Sequence, residues 1–474
     1  MNIYIPIEVK VRELEGRSLL AIAAAERGHT VILGEKKDTL SLAKKGKLPP
    51  GIIHMKSITP HDSMISTLTE LEEHGHIITV QDEESGLLDE SYEKFAKLRF
   101  SDKTLSQVSG VFAWGEFDST SLKEKYTDHS DKIVVTGSPR VDFWRKEFEG
   151  YFENPVMNDE FQKKPYILVV SNFGSFLNEN RLWDIFARLR KAGYFERDKS
   201  KEQNEYENAA YQIRLIGKFV EMIRSLSETY PDMNIIVRPH PVESLEGWSK
   251  IIGEFPNIFV NREGTISRWI RHSKMIIHNG CTSALEATIS GVPRVAYRPF
   301  PSDLERDIPN SLSVNAFSLD ELKKIVSNLL ENKKTKNIRE EEQTLLLNQR
   351  IANQKGTLAA DCVVDEWEKL GEEHSLAQTD IAELVSVKVG NKKPLLKRLK
   401  RKAILVRNRL TGKKDSNNSA RLLKSGHKFP DFKDEEIGQL LHKLQITLNR
   451  FKNVSCRRYG EKSFILTDNN NEKL

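Results

Sequence analysis

The chain of 474 residues is 38% hydrophobic and 30% charged, and its mean hydropathy is −0.51; this balance supports a sizeable core and excludes a wholly disordered chain. No apolar run approaches the ~18 residues of a membrane-spanning helix, and charged residues between Glu8 and Glu15 interrupt any apolar signal segment. The three cysteines lie too far apart for a disulfide framework or a zinc knuckle, so we expect a cytoplasmic α/β protein.

The first part of the chain alternates between strand-like and helical segments. Residues 2–7 predict a buried strand, 17–27 a helix ending at Gly28, and 30–33 a second strand. Further strand-like runs follow at 76–81, 110–114 and 132–136. This alternation predicts a doubly wound parallel sheet, which we assign to a first domain over residues 1–150.

A second α/β series follows a polar crossing at 143–164 that contains Pro155 and Pro165. Its predicted strands are 166–170, 234–237, 258–260, 275–277 and 294–297, with a charged, partly helical insertion at 178–212. A helical stretch at 343–370 is expected to close this second domain, which we place at 151–372. Residues 373–474 are then a basic tail, partly helical or disordered.

The positive charge is concentrated in residues 390–414, which hold eleven Lys and Arg and no acid. The chain's net charge is +5, so the remainder carries −6. Apolar residues at Leu395, Leu399, Val406 and Leu410 predict an amphipathic helix. Such a helix favours an anionic membrane surface, with a solvated tail and nucleic-acid attachment as alternatives. The segment lacks the interleaved aromatic residues of nucleic-acid modules, so we expect no nucleic-acid partner.

The first candidate strand end carries the carboxylates Asp82, Glu83 and Glu84 after the strand at 76–81. In open parallel sheets, ligands bind beyond the carboxyl ends of the strands. Adjacent carboxylates raise one another's pKa, which favours a proton donor or acceptor near neutral pH. An acidic helix N-terminus explains the same pattern equally well.

The second strand end, Arg238-Pro239-His240-Pro241, has two prolines that terminate the strand and frame the imidazole. Arg238 and His240 suit a phosphate group, the first through its bidentate fork and the second as a proton donor. The alternative is a structural turn with an incidental histidine.

The third strand end runs from Asn279 and Gly280 through Cys281 to Thr282 and Ser283, at the start of an Ala-rich helix. Backbone N–H groups and the two hydroxyl groups there can bind an anion. Glu286 follows one turn later and can reach ribose hydroxyl groups, whereas ordinary N-capping is the alternative. No P-loop or Gly-x-Gly-x-x-Gly motif occurs, and we expect neither a cofactor nor a metal.

Taken in order, these motifs resemble those of bacterial surface-carbohydrate biosynthesis proteins with the GT-B glycosyltransferase fold. The motifs are 82–86, 238–241 and 279–283, together with 135–142, whose Gly137, Pro139 and Arg140 we expect in the cleft. The opening at 8–34 is similar to that group too. The resemblance covers residues 1–370 and implies two Rossmann-like domains facing a cleft, to which the basic tail is added. It extends more loosely to CMP-dependent sialyltransferases and Kdo transferases.

What this resemblance implies is a glycosyltransferase that moves Kdo or another ulosonic acid from a CMP-sugar to a glycan or lipid-linked acceptor. Asp82, Glu83 or Glu84 would then be the catalytic carboxylate, and His240 would assist the leaving group. Nucleotide binding would fall to the second domain, at Arg238, Pro241, Asn279, Gly280, Thr282, Ser283 and Glu286. The basic segment at 390–414 would hold the enzyme peripherally at the inner face of the plasma membrane.

Three other readings remain open. CDP-polyol phosphotransferases share a His-Pro motif, although their Asp-Tyr-Ser-Ser motif differs from 278–283 here. UDP-sugar epimerases share the two-domain architecture and a Gly-x-Pro-Arg element, found here at 291–294. The third is a non-catalytic scaffold of an assembly complex.

Overall fold

The computed structural model describes residues 1–83, 85, 92–155, 164–177, 182–191, 195, 200–333, 340–378, 432 and 435–470. It divides into two compact units. Unit 1 comprises residues 1–86, 91–151 and 348–474, and unit 2 comprises residues 87–90 and 152–347. Glu84 and the basic segment at 390–414 lie outside the described residues.

Unit 1 is built on one sheet with the strand order β13-β14-β2-β1-β3-β4-β5-β6. Strands β1 to β6 are parallel, and β14 pairs antiparallel with β2. Its strands are β1 (Asn2–Ile7), β2 (Thr30–Glu35), β3 (Ile52–Met55), β4 (Ile77–Val80), β5 (Gly110–Ala113), β6 (Ile133–Val135), β13 (Val454–Gly460) and β14 (Ser463–Asp468).

Unit 2 has a sheet of parallel strands in the order β12-β11-β10-β7-β8-β9. The strands are β7 (Tyr166–Val170), β8 (Asn234–Arg238), β9 (Ile258–Val260), β10 (Met275–His278), β11 (Arg294–Tyr297) and β12 (Val314–Ala316). Alternate residues enter separate apolar clusters: Ile167 and Val169 pack on one side of the sheet, Leu168 and Val170 on the other. A strand buried on both faces needs a continuous apolar run, which the sequence provides.

Helices cover both sheets. They are α1 (Lys10–Glu26), α2 (Lys36–Ala43), α3 (Asp62–Glu73), α4 (Glu93–Arg99), α5 (Asp102–Leu105), α6 (Glu116–Lys125), α7 (Pro139–Asp142), α8 (Leu182–Lys191), α9 (Ser200–Thr229), α10 (Leu245–Ile252), α11 (Ile266–His272), α12 (Ser283–Ile289), α13 (Asp307–Ser311), α14 (Leu319–Leu330), α15 (Glu340–Arg350), α16 (Ala359–Glu373) and α17 (Glu436–Leu448). Short 3-10 helices span Thr127–Lys132, Lys146–Tyr151 and Gly174–Leu177.

The end of α1 is set by Gly28, as the sequence predicts. Gly28 has φ +86°, and its N–H donates to the carbonyl of Ala25, while that of His29 donates to Ala24. Only glycine adopts this left-handed conformation at little cost, which makes it the common helix terminator.

The described part of the C-terminal region contains a β-hairpin, which the sequence analysis did not predict. Residues 463–466 of β14 pair with residues 31–34 of β2 and extend the unit 1 sheet. Arg450 fixes the approach, because its guanidinium donates to both oxygens of Asp361 at 2.6 and 2.7 Å and to Glu26 at 2.6 Å. The expected helical content is present as α17. The tail assigned to 373–474 therefore includes a structural part of unit 1.

The boundary expected at residue 372 also differs from the structure, since unit 2 ends at Leu347. The predicted helical stretch at 343–370 is two helices, α15 and α16, and α16 packs on unit 1. Asp142 caps α16 by accepting the N–H groups of Ala359 and Ala360, both at 3.0 Å. These partners are more than 200 residues apart in the chain, so periodicity alone cannot reveal the pairing.

The predicted fold class is confirmed in its α/β, GT-B-like composition of two doubly wound Rossmann-like units. Strands β1, β2, β4 to β8 and β9 to β11 match predicted runs, whereas β3 and β12 were not predicted. In the part of the chain that the structure describes, no helix combines the length and apolarity required to cross a bilayer.

Candidate functional site

The candidate site lies at the carboxyl edge of the unit 2 sheet. Numbered within the unit, the strand order is 6-5-4-1-2-3, so the direction of winding reverses between β7 and β10. A crevice forms at such a reversal, because the loops after the two strands leave toward opposite faces. Here the loops are joined directly: the backbone N–H of Asn172 donates to Oδ1 of Asn279 at 2.8 Å.

The loop after β10 is shaped by the buried imidazole of His278. Its Nδ1 accepts the N–H of Gly280 at 3.0 Å, which leaves Nε2 to donate to Ser313 Oγ at 2.8 Å. Burial lowers the pKa of His278 to about 3, and Arg294 lowers it further. The ring is therefore neutral at pH 7 and serves as a fixed support of the turn, in which Gly280 takes φ +77°.

The loop after β7 is held by the buried carboxylate of Glu243. It accepts from the N–H groups of Phe173 at 2.7 Å and Gly174 at 3.1 Å, and also from Ser171 Oγ at 2.5 Å and Trp248 Nε1 at 2.8 Å. Four donors satisfy a buried charge that would otherwise be costly. Glu243 thus connects the loop after β8 to the loop after β7, and the site's backbone is pre-shaped.

A pocket of about 630 Å³ opens between these loops, α9 and the segment after β11. Its lining is rich in amides and aromatic rings. The residues are Asn172, Phe173, Gly174, Phe176, Ile185, Leu189, Asn204, Glu205, Asn208, Tyr211, Gln212, Leu215, Asn279, Gly280, Tyr297, Arg298, Leu304, Glu305, Arg306 and Asn310. Apolar walls with a few placed polar groups are typical of small-molecule sites.

Charge in this pocket is partly neutralised by an ion pair between Arg298 and Glu305. Nη1 of Arg298 also donates to Asn315 Oδ1 at 3.2 Å. Burial raises the pKa of Tyr211 to about 12, with Glu305 adding to the effect, so this phenol stays protonated. Arg306 is exposed at the rim and supplies a positive charge.

Two of the residues predicted to bind nucleotide, Asn279 and Gly280, line the pocket. Arg238 is buried, and its guanidinium donates to the carbonyls of Glu263 and Gly264. Burial lowers the pKa of Arg238 to about 10, and the charge of Glu286 acts in the opposite direction. Arg238 therefore has a structural role, and its predicted contact with phosphate stays a prediction.

The other predicted residues of unit 2 lie at neighbouring strand ends, outside the pocket lining. The carbonyls of His240 and Pro241 accept from Arg262 at 3.3 and 2.9 Å. Thr282 occupies the N-cap position of α12 and makes no side-chain cap hydrogen bond. Ser283 Oγ lies 3.4 Å from Cys281 Sγ, and Glu286 is buried. Their roles toward a nucleotide remain predictions.

In unit 1, the acidic residues after β4 each face an arginine. Asp82 Oδ2 lies 3.6 Å from Arg99 Nε, and Glu83 Oε1 accepts from Arg17 Nε at 3.0 Å. The closest charges are thus opposite in sign, contrary to the mutual repulsion expected from the sequence. Indole Nε1 of Trp114 donates to the carbonyl of Asp82 at 2.9 Å and fixes the strand end.

The predicted segment at 137–140 supports this acidic motif from the adjacent strand end. Gly137 has φ +73° and its carbonyl accepts from Gln81 Nε2 at 2.6 Å. Arg140 Nη1 donates to the carbonyl of Glu83 at 3.3 Å, and Pro139 begins α7. The structure therefore brings Gly137 and Arg140 to the acidic motif, which the spacing of more than 50 residues does not reveal.

Asp118, which the sequence analysis did not single out, is the neighbouring acid with a raised pKa. It is fully buried on α6 and accepts a hydrogen bond from Ser85. Burial raises its pKa to about 7, while Ser85 and Arg350 act to lower it. No sequence signal identifies it, because an acid in the first turn of a helix is ordinary.

The described residues include no grouping of three or more His, Cys, Asp or Glu that could hold a metal ion.

Comparison with known proteins finds no matching family model and no matching curated protein. Among solved structures, the chain is similar to the UDP-GlcNAc 2-epimerase of Neisseria meningitidis in complex with UDP-GlcNAc, at 13% identity and TM-score 0.44, over 78% of this chain and 100% of that one. The Methanocaldococcus jannaschii UDP-GlcNAc 2-epimerase gives 14% and 0.46, over 78% and 100%. A glycosyltransferase from Rickettsia africae gives 14% and 0.42, over 78% and 98%. Similarities this remote carry no statement about the activity of this chain.

Proposed function

We propose that this protein is an enzyme of nucleotide-sugar chemistry and that unit 2 binds the nucleotide sugar in the pocket beside β7 and β10. The carrying observation is the bond between Asn172 and Asn279, which closes the switch point of a doubly wound sheet above an amide-lined pocket. Nucleotides bind at this position in folds of this order. Burial of apolar rings and amide groups suits a nucleoside, and Arg306 at the rim suits its phosphate.

Within this class, the proposed reaction is transfer of Kdo or another ulosonic acid from a CMP-sugar to a glycan or lipid-linked acceptor. The order of the acidic, His-Pro and Thr-Ser motifs supports this choice. In such a reaction a carboxylate activates the acceptor hydroxyl, and Asp82 and Glu83 are the described candidates. Their arginine partners keep them ionised at neutral pH, as a general base requires.

The same pocket would serve UDP-sugar epimerisation, and nucleotide preference separates the two reactions. A ligand that binds the folded state alone raises the Tm with its concentration. We expect thermal-shift titrations of the full chain to favour CMP over CDP, UMP and UDP. A preference for UDP would replace transfer by epimerisation, a preference for CDP would indicate the polyol-phosphate reaction, and no response to any of them would contradict nucleotide binding.

Turnover provides the second test. Transfer releases the nucleotide in an acceptor-dependent way, whereas epimerisation leaves the nucleotide attached to an altered sugar. We expect Asp82→Asn or Glu83→Gln to abolish release, while Asp131→Asn, at an exposed acid elsewhere in unit 1, leaves it unchanged. A non-catalytic scaffold would tolerate all three substitutions.

Membrane attachment through residues 390–414 is proposed from their eleven positive charges. The chain on either side is anchored to unit 1: Gln378 Nε2 donates to Thr30 Oγ1 at 3.2 Å, and the carbonyl of Phe432 accepts from Arg458 at 3.1 Å. Truncation before this segment would also remove β13 and β14. The suitable variant therefore replaces the eleven basic residues by Gln within the full chain, and it should no longer sediment with anionic vesicles. Unchanged sedimentation would contradict the proposal.

A further inference from the structure

Two amide side chains on different walls of the unit 2 pocket have a buried oxygen without a hydrogen-bond partner among the described residues. These atoms are Oε1 of Gln212, on α9, and Oδ1 of Asn310, on α13. Asn310 is 4% exposed. Buried polar atoms are nearly always paired in folded proteins, so two exceptions in one cavity require an explanation.

The rest of the α9 wall has the same chemistry. Asn204, Asn208 and Gln212 follow one another at intervals of four residues, so they lie on one face of the helix, and all three line the pocket. The Nε2 of Gln212 donates to Asn208 Oδ1 at 3.4 Å, which directs the Gln212 oxygen away from Asn208. This wall is neutral and offers both donors and acceptors.

We infer that Gln212 and Asn310 form the subsite that binds the sugar of the nucleotide sugar, through its hydroxyl groups. A hydroxyl group donates to an amide oxygen and accepts from an amide nitrogen, so it satisfies either orientation of each amide. A phosphate has acceptors alone at neutral pH and would leave both oxygens unpaired. The neutral wall therefore fits a polyhydroxylated group, and Arg306 at the rim fits the phosphate.

This inference rests on the proposed function, and it assigns the sequence between β7 and β8 a role in specificity. Gln212 and its two neighbours belong to the stretch that appears in the sequence as a charged, partly helical insertion. The helix contributes Asn204, Asn208, Tyr211 and Gln212 to the pocket, whereas the loops after β7 and β10 contribute backbone and Asn279. Sugar and nucleotide would thus be recognised by separate elements.

The test compares sugar nucleotides with their bare nucleotides by calorimetry on the full chain, using UDP-N-acetylglucosamine with UDP and CMP-N-acetylneuraminate with CMP. In the unmodified protein, at least one sugar nucleotide should bind more tightly than its nucleotide. Gln212→Met should weaken binding of that sugar nucleotide about fivefold, the effect of losing one uncharged hydrogen bond, and leave binding of the nucleotide unchanged. Asn310→Leu should do the same.

The Gln203→Met variant is the matched control, because Gln203 is an exposed amide on the same helix and does not line the pocket. It should change neither affinity. The Tm of the ligand-free Gln212→Met variant should not fall, since an apolar side chain replaces an unpaired polar atom.

Three outcomes would overturn the inference. In one, Gln212→Met weakens binding of the nucleotide and the sugar nucleotide equally. In another, the unmodified protein binds nucleotides but gains nothing from either sugar, which leaves the proposed nucleotide site intact and shows that the amides bind only water. In the third, no nucleotide binds, and the proposed function fails as well.

Discussion

The N–H of Asn172 donates to Oδ1 of Asn279 at 2.8 Å, and this bond joins the loops that follow the adjacent parallel strands β7 and β10. It lies where the strand order of the unit 2 sheet reverses, at the mouth of the pocket. Each loop also has its own anchor: Glu243 for the loop after β7, and His278 for the loop after β10. The site is therefore pre-organised.

Replacing Asn279 by Ala removes this link. We expect a loss of stability of about 1 kcal/mol, as for one neutral hydrogen bond, and nucleotide binding roughly tenfold weaker because the loops separate. Asn279→Asp keeps the acceptor oxygen, so it should retain stability, yet its negative charge should repel a phosphate. Denaturant unfolding and calorimetry measure the two effects. Equal nucleotide affinity in all three proteins would contradict a role for this link.

Glu243 is the second positioning residue. Glu243→Ala leaves buried donors of Phe173, Gly174 and Trp248 unpaired, and we expect a loss of roughly 3 kcal/mol in the free energy of unfolding. Glu246→Ala, at an exposed acid nearby on α10 that is paired with Lys250, should cost less than about 0.5 kcal/mol. Urea unfolding followed by Trp fluorescence reports both, and similar losses would show that the Glu243 network is not required.

Asp118 should make unit 1 more stable at acidic than at neutral pH. Burial raises its pKa from 3.8 to about 7 in the folded protein, so the folded state binds a proton more tightly than the unfolded state does. Stability from this group is complete below pH 4 and is lost as the pH rises through 7. Asp142, whose pKa burial also raises to about 7, contributes in the same range.

The variant Asp118→Asn isolates the contribution of Asp118, because it keeps the side-chain shape without the ionisation. Between pH 5 and 8 its Tm should fall less steeply than that of the unmodified protein. Parallel Tm profiles would show that Asp118 is ionised throughout, and the raised pKa would be wrong.

Arg450 holds the C-terminal hairpin region to α1 and α16. Arg450→Ala removes the bidentate pair with Asp361 and the bond to Glu26, which should cost about 1–2 kcal/mol because the groups are partly buried. We expect faster amide hydrogen exchange in β13 and β14, while β7 and β8 of unit 2 stay unchanged. Uniform acceleration in both units, or none in the hairpin, would contradict this local role.

The sequence predicted those elements that carry their own local signal. The apolar runs at 2–7 and 166–170 and the glycine at position 28 are sufficient because strand burial and helix termination depend on adjacent residues. The hairpin was missed since its pairing, such as Gly34 with Ser463, is set by contacts across more than 400 residues. The boundary at 347 was missed for the same reason, through Asp142 and α16.

The candidate site was predictable only in part. Asn279 and Gly280 stand out at a strand end, and both line the pocket. Gln212 and Asn310 do not stand out, because an amide on a polar helix looks solvated until its partners are known. Arg238 illustrates the converse: its residue type suits phosphate, but burial against the carbonyls of Glu263 and Gly264 gives it a structural role.

A crystal structure of the full chain with the nucleotide that gives the largest thermal shift tests the central claim most directly. The account predicts density for the nucleotide in the pocket lined by Asn172, Asn279 and Arg306, with its phosphate toward Arg306. Density at another place in unit 2 or on unit 1, with this pocket empty, would contradict it.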